Sequence, residues 1–380
     1  MNFMAPPLSL YVHIPWCIKK CPYCDFNSHA VKSGAPESAY VNALLDDLHC
    51  DVERFAINRP IQTIFIGGGT PSLFSPESIA KLLAGIKKSI TIAEDAEITL
   101  EANPGTFESA KFNEFNQLGI NRLSIGVQSF HDRLLTTLGR VHSGQEAVKA
   151  AEIAHQAGFS NFNLDLMFGL PDATPEESIN DIKTAIQLTP AHISFYQLTL
   201  EPNTLFHKYP PKLPDDETTY LIQKQCQELL VENGYRQYEI SAYAKSGKQC
   251  RHNINYWQFG DYIGIGAGAH GKLSLSLPEN IIRTSKPKKP ELYLADPSKR
   301  TEQLISLQEL PLEFLMNQLR LRQGFSLTGF TAKTGLMPSD MQPGLLNCLE
   351  KNLIECVDNH YRCSEKGWDF LDSILQNFIN

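Results

Sequence analysis

The stretch YVHIPWCIKKCPYCDFNSH (residues 11–29) places Cys17, Cys21 and Cys24 in a C-x3-C-x2-C spacing directly after a β-branched, aromatic run. Three thiolates this close suggest a metal-type site at the end of a first strand. They are one short of a closed tetrahedral zinc centre, which usually draws two distant ligand pairs. No second cysteine pair exists, although His13 and His29 could supply a fourth ligand. A thioredoxin-like redox pair needs only C-x2-C and would leave Cys17 surplus. A [4Fe–4S] cluster fits better, because cysteine thiolates are its usual ligands and three of them leave one iron open. The other six cysteines, Cys50, Cys226, Cys250, Cys348, Cys356 and Cys363, are scattered and are expected to pack as small hydrophobes.

Outward from this stretch, short strand-like runs alternate with helical patterns. The runs are 8–14, 63–69, 97–103, 122–128, 161–169 and 192–200. Ser75-Pro76 opens a helix that places Ile79, Leu82, Leu83, Ile86 and Ile90 on one face. Thr174 and Glu177 form a capping box before another, with Ile179, Ile182 and Ile186 inward. Such βα repetition predicts an α/β fold, a partial (β/α)6 parallel barrel over residues 1–235, with its chemistry at the C-terminal ends of the strands. A Tyr/Gly-rich connecting segment is expected over 236–304. It includes a lysine-bearing stretch, RTSKPKKPELYLADPSKRT, read as a solvated linker. Residues 305–380 pattern as helices and a hairpin, a smaller winged-helix-like domain. That module carries 9 acidic against 6 basic residues, the wrong sign for phosphate contacts.

The 380 residues carry a formal net charge of −8, which argues against broad attraction to nucleic acid or anionic lipid. No run of about 18 apolar residues is present, so no membrane span is expected. The opening MNFMAPPLSL lacks signal-peptide character, and a cytoplasmic location with reduced thiols is expected.

Tyr23 immediately before the third cysteine, and FIGGGTPS at 65–72 after a strand, make the motif resemble that of the radical S-adenosylmethionine (SAM) superfamily. YVHIP, GGGTP, EANP, NRLSIGVQSF and DLMFGLP are similar to one subgroup, the oxygen-independent coproporphyrinogen III oxidase-like proteins, strongly over about residues 8–205 and more loosely beyond. The resemblance implies a [4Fe–4S] cluster on Cys17, Cys21 and Cys24. SAM would chelate the open iron, and its reductive cleavage would give a 5′-deoxyadenosyl radical. It implies SAM contacts from Tyr11, Tyr23, Gly68, Gly69, Thr70, Glu101, Gln128, Arg140, Asp165 and Thr199. Gly68, Gly69 and Thr70 would serve the SAM amino group and Arg140 its carboxylate. Gln128 and Asp165 would serve the ribose, Glu101 would contact Arg140, and Thr199 would line the adenosyl end.

Two features separate the branches of this subgroup. Oxidases typically extend the motif to C-x3-C-x2-C-x-C and have a longer stretch before the cluster. Here the extra position is Phe26, and 16 residues precede Cys17. HNINYW (252–257) resembles the H-N-x-x-Y-W element of the HemW-type haem-chaperone branch, which implies haem binding by His252, Tyr256 and Trp257. No catalytic residue is assigned on this reading. Expected partners are haem, a haem-acceptor protein such as a membrane-bound respiratory component, and an electron donor of the flavodoxin or ferredoxin kind. Oxygen-independent coproporphyrinogen III oxidase activity is the alternative. Two look-alikes are set aside. Gly264, Gly266 and Gly268 depart from G-x-G-x-x-G spacing and suggest a close-packed turn at the barrel mouth, and Cys21-Pro22 is better explained as part of the cluster motif.

Overall fold

The computed structural model describes residues 5–31, 34–276 and 280–379. The first four residues of MNFMAPPLSL lie outside that description. In chain order the strands are β1 Leu8–Ile14, β2 Trp16–Cys17, β3 His29–Ala30, β4 Ile61–Gly68, β5 Ile92–Ala102, β6 Arg122–Gln128, β7 Phe162–Phe168 and β8 His192–Gln197. They continue with β9 Arg236–Glu239, β10 Ala242–Ala244, β11 Asp261–Ile265, β12 His270–Ser276, β13 Asn280–Ser285, β14 Thr301–Leu304, β15 Ile354–Val357 and β16 His360–Cys363. Twelve of them form one sheet in the order β14-β13-β12-β11-β1-β4-β5-β6-β7-β8-β10-β9.

From β11 through β1, β4, β5, β6 and β7 to β8 the pairing is parallel, and it turns antiparallel at both flanks. The expected six-strand parallel core is present. Two-sided burial explains its apolar runs: Leu10, Val12, Ile14, Ile64 and Ile66 are all fully buried. The sheet keeps two edges, so the barrel is open. The two anticipated helix starts also form. Ser75 caps Pro76–Ser89, whose Ile79, Leu82 and Ile86 are buried, and Thr174 with Glu177 makes a capping box on Pro175–Gln187.

Residues 236–304, expected to connect two domains, instead supply six strands to this sheet, two beyond β8 and four beyond β1. The lysine-bearing stretch is not a solvated linker throughout. Lys286 is buried against Asp47 and Asp51, on the helix Glu37–Arg54. From Ile305 a separate apolar cluster forms around Phe314, Phe330, Leu345 and Trp368, joined by Phe259 and Ile281 from the sheet domain. Its helices and the β15–β16 hairpin match the smaller C-terminal unit read from sequence. Of the six scattered cysteines, Cys226, Cys250, Cys348 and Cys363 are buried as expected, whereas Cys356 is exposed.

Candidate SAM and iron–sulfur site

The loop after β1 is tied at its base. β2 pairs with β3, Trp16 opposite His29 and Cys17 opposite Ala30. Between those ties the chain turns at Cys21–Cys24, where the Cys24 amide donates to the Cys21 carbonyl at 3.2 Å. Gly69 N–H donates to Ile14 O and Thr70 N–H to Trp16 O, at 2.8 and 2.7 Å, so the glycine turn after β4 grips the loop's root. A Cβ on Gly69 would stand 2.5 Å from the Trp16 carbonyl oxygen. Gly69→Ala is therefore expected to cost about 1–3 kcal/mol and to weaken cluster retention; a denaturation midpoint equal to wild type would refute the close approach.

Cys17, Cys21 and Cys24 line a cavity of about 350 Å3 at the C-terminal ends of the parallel strands. Tyr23, Gly68, Gly69, Thr70, Glu101, Gln128, Arg140, Asp165 and Thr199 line the same cavity. Nine of the ten expected SAM residues are thus brought together with all three cysteines. Tyr11 is the exception. Its hydroxyl pairs with His13 Nδ1 at 2.9 Å, and it faces a second, neighbouring cavity of about 740 Å3.

The polar groups are held firmly. Arg140 donates to Asn103 Oδ1 at 2.7 Å and to the Gly126 carbonyl at 2.8 Å, and lies 3.7 Å from Cys21 Sγ. Among the described residues no hydrogen bond or ion pair joins Glu101 to Arg140. Glu101 Oε2 instead accepts from the Gly68 amide at 2.9 Å. Asp165 accepts from Ser124 and Asn163, at 3.1 and 2.8 Å. Gln128 sits at φ 65° where the β6–β7 register slips, an unusual backbone for a non-glycine residue that aims its side chain into the cavity. Asn103, Ser124, Gly126 and Tyr196 also line it and were missed in the sequence. Their signal was position alone, at or near strand ends.

Burial pushes the Glu101 carboxyl up to about 7 against the Gly68 hydrogen bond, with Asp165 adding to the rise. Its folded value lies above the ordinary 4.5, so the neutral form's stabilising contribution is complete below pH 4.5 and is lost as pH rises through about 7. Glu101→Gln, which keeps an acceptor for Gly68, is expected to flatten the pH dependence of apo-protein stability between about pH 5 and about pH 8. Urea midpoints across that range test it, and an unaltered slope in the variant would remove Glu101 as its source.

The residues fit the implied cofactors. Among the described residues Gln128 Oε1 and Arg140 Nε are buried without a hydrogen-bond partner, polar atoms of the kind a bound ribose or carboxylate would satisfy. Burial raises the Cys17 and Cys24 thiols, opposed by hydrogen bonds from Thr70 and Ser28 at Cys17 and from Ser28 at Cys24.

The expected haem residues stand apart from this cavity. His252, on the helix Arg251–Trp257, is buried, with Nδ1 on Thr63 Oγ1 and Nε2 on Tyr256 OH, both at 2.8 Å. Burial pushes it down to about 3, with Arg122 adding, so it is neutral. Both nitrogens are engaged, and iron ligation would break one of these bonds. Trp257 lies under the Arg320 guanidinium, 4.3 Å from its ring centroid. Of the three, Tyr256 lines the second cavity, and neither His252 nor Trp257 lines either of the two described here.

An open parallel barrel with three cysteines and a polar nucleotide-sized cavity at one end has the form of a radical SAM protein. Residues 11–185 match the Radical SAM superfamily, and residues 305–370 match the HemN C-terminal domain. The chain is 50% identical to the heme chaperone HemW of Escherichia coli, covering 98% of each chain. It is 36% identical to that of Bacillus subtilis, over 94% of this chain and 96% of the relative. The solved coproporphyrinogen III oxidase HemN of Escherichia coli shares its fold, with a TM-score of 0.82 and 21% identity over 98% of this chain and 90% of that one. The chain belongs to the HemW family within the radical SAM superfamily.

Proposed function

We propose that this protein is a haem chaperone that binds haem together with a [4Fe–4S] cluster and SAM and passes the haem to an acceptor protein. The observation that carries this reading is end-to-end similarity at 50% identity to a protein named a heme chaperone. Phe26, where the oxidases carry a further cysteine, agrees with it.

On this reading Cys17, Cys21 and Cys24 would hold a [4Fe–4S] cluster, which together with SAM would supply radical chemistry. The Gly68–Thr70 turn and Arg140 hold the two ends of the SAM amino acid. Arg140 is already oriented by Asn103 and the Gly126 carbonyl, so its charge-assisted bond needs little reordering. Gln128 and Asp165 hold the ribose, Thr199 and Tyr23 border it, and Glu101 fixes the glycine turn. The acceptor is a haem protein, such as a membrane-bound respiratory component, and a flavodoxin or ferredoxin serves as electron donor. Among the described residues no helix is long and apolar enough to cross a membrane.

Anaerobically reconstituted protein is expected to bind one haem per chain, seen as a saturable Soret change. Absence of stoichiometric binding would sink the proposal. Incubation with SAM, reductant and coproporphyrinogen III is expected to give no protoporphyrinogen; its formation would favour the oxidase reading.

A further inference from the structure

The second cavity is the larger of the two and adjoins the first, sharing Cys24, Asp25, Phe26, Ser28, Gly68 and Glu101 as wall. None of the SAM contacts except Tyr11, Gly68 and Glu101 reaches it. Its volume, about 740 Å3, lies in the range of sites that enclose a large cofactor. One wall is aromatic: Tyr11, Tyr256 and Tyr262 line it, the last two with ring centroids 4.4 Å apart. Lys20 and Lys288 also line it, two cations in a chain of net charge −8. The Tyr256 and Tyr262 rings are tilted 59° to each other, and Asp25 and Glu101 line the cavity beside the two lysines, so ring surface and both signs of charge meet there.

Three histidines line the same space, His13, His29 and His270. His13 is spent, with Nδ1 on the Tyr11 hydroxyl and Nε2 on the Asn27 carbonyl, each at 2.9 Å. His29 is not: among the described residues its Nε2 is buried with no hydrogen-bond partner. His270 is exposed and, among the described residues, makes no side-chain hydrogen bond within the protein. The close-packed turn Gly264–Gly268 delivers it. Gly266 takes φ 106°, and a Cβ there would stand 2.3 Å from the His13 carbonyl oxygen. Asn27 Nδ2 clasps the turn to the cysteine loop through the carbonyls of Ala267 and Lys288, both at 2.8 Å.

We infer that haem binds in this second cavity, with the imidazoles of His270 and His29 as its iron ligands and Lys20 and Lys288 at its propionates. The inference rests on the haem-chaperone reading and moves the ligand from His252, which acts as a positioning residue for Tyr256.

The test uses full-length, cluster-loaded protein titrated with ferric haem, read by Soret absorbance and by the low-spin electron paramagnetic resonance signal of nitrogen-ligated iron. Cluster absorbance serves as the folding control. His270→Ala is expected to lose the low-spin signal and to bind roughly tenfold or more weakly, and added imidazole is expected to restore the signal. His29→Ala is expected to convert six-coordinate iron to five-coordinate. His252→Ala is expected to keep the low-spin signature. A wild-type protein that binds no haem would overturn the chaperone reading itself. Haem bound by wild type and by the His29→Ala/His270→Ala double variant with the same spectrum and affinity would leave that reading intact and overturn this site. Loss of the low-spin signal in His252→Ala alone would also overturn it.

Discussion

Replacing Cys21 with serine is expected to reduce bound iron from about four per chain to less than about one, with the fold retained. All three cysteines line one cavity, and two of them pay for their burial with raised thiol values. A serine hydroxyl is a far harder, more weakly acidic ligand than a thiol and does not replace one on iron at neutral pH. Cys21 is the sharpest choice because Arg140 Nη1 stands 3.7 Å from its sulfur, so the variant also unbalances the residue assigned to the SAM carboxylate. Iron analysis and charge-transfer absorbance read the loss, and circular dichroism reads the fold. Iron retained at wild-type level would refute the cluster assignment, and zinc in its place in the wild type would revive the structural-zinc alternative.

Lys286→Met is expected to destabilise the protein by about 3–5 kcal/mol, the usual cost of stranding a buried charge by removing its partner. Lys286 is fully buried between Asp47 and Asp51, and its ammonium lies 2.9 Å from both Asp51 oxygens. Arg300 reaches Asp51 at 2.8 Å, so Asp51 keeps one cation, whereas Asp47 would keep only hydrogen bonds from Tyr293 at 2.7 Å and the Gly266 amide at 3.2 Å. Burial already pushes Asp47 up to about 6 despite Lys286. Adding Asp47→Asn to Lys286→Met is expected to recover part of the loss. Urea midpoints measure both, and a loss below about 1 kcal/mol would place the pair in contact with solvent. Because Asp47 also accepts from Gly266, the variant is expected to loosen the turn that carries His270.

The parallel core was legible because strands buried on both faces are written as continuous apolar runs, and capping boxes are written in adjacent residues. That the three cysteines and nine of the expected residues would meet at one cavity was legible for a related reason: glycines and polar side chains interrupt the strands or the loops after them. Residues 236–304 were not. Their strands pair with β1 and β8 across long separations, and short Tyr/Gly-rich runs carry little period-two signal. Lys286 misled because its partners lie 235 and 239 positions away. His252 is a different case. Its motif was visible, but nothing local shows that Thr63 occupies one ring nitrogen.

The β2–β3 tie turns residues 17–30 into a single strap that lines both cavities. Cys24 and Phe26 belong to both walls, so the strap cannot be ordered for one occupant without being ordered for the other. Whatever factor cluster and SAM loading apply to haem affinity, haem must apply in return to their retention, by thermodynamic reciprocity. A chaperone built this way would read its own cofactor state before accepting cargo, and would mark a delivered cargo by a looser grip on its cofactors.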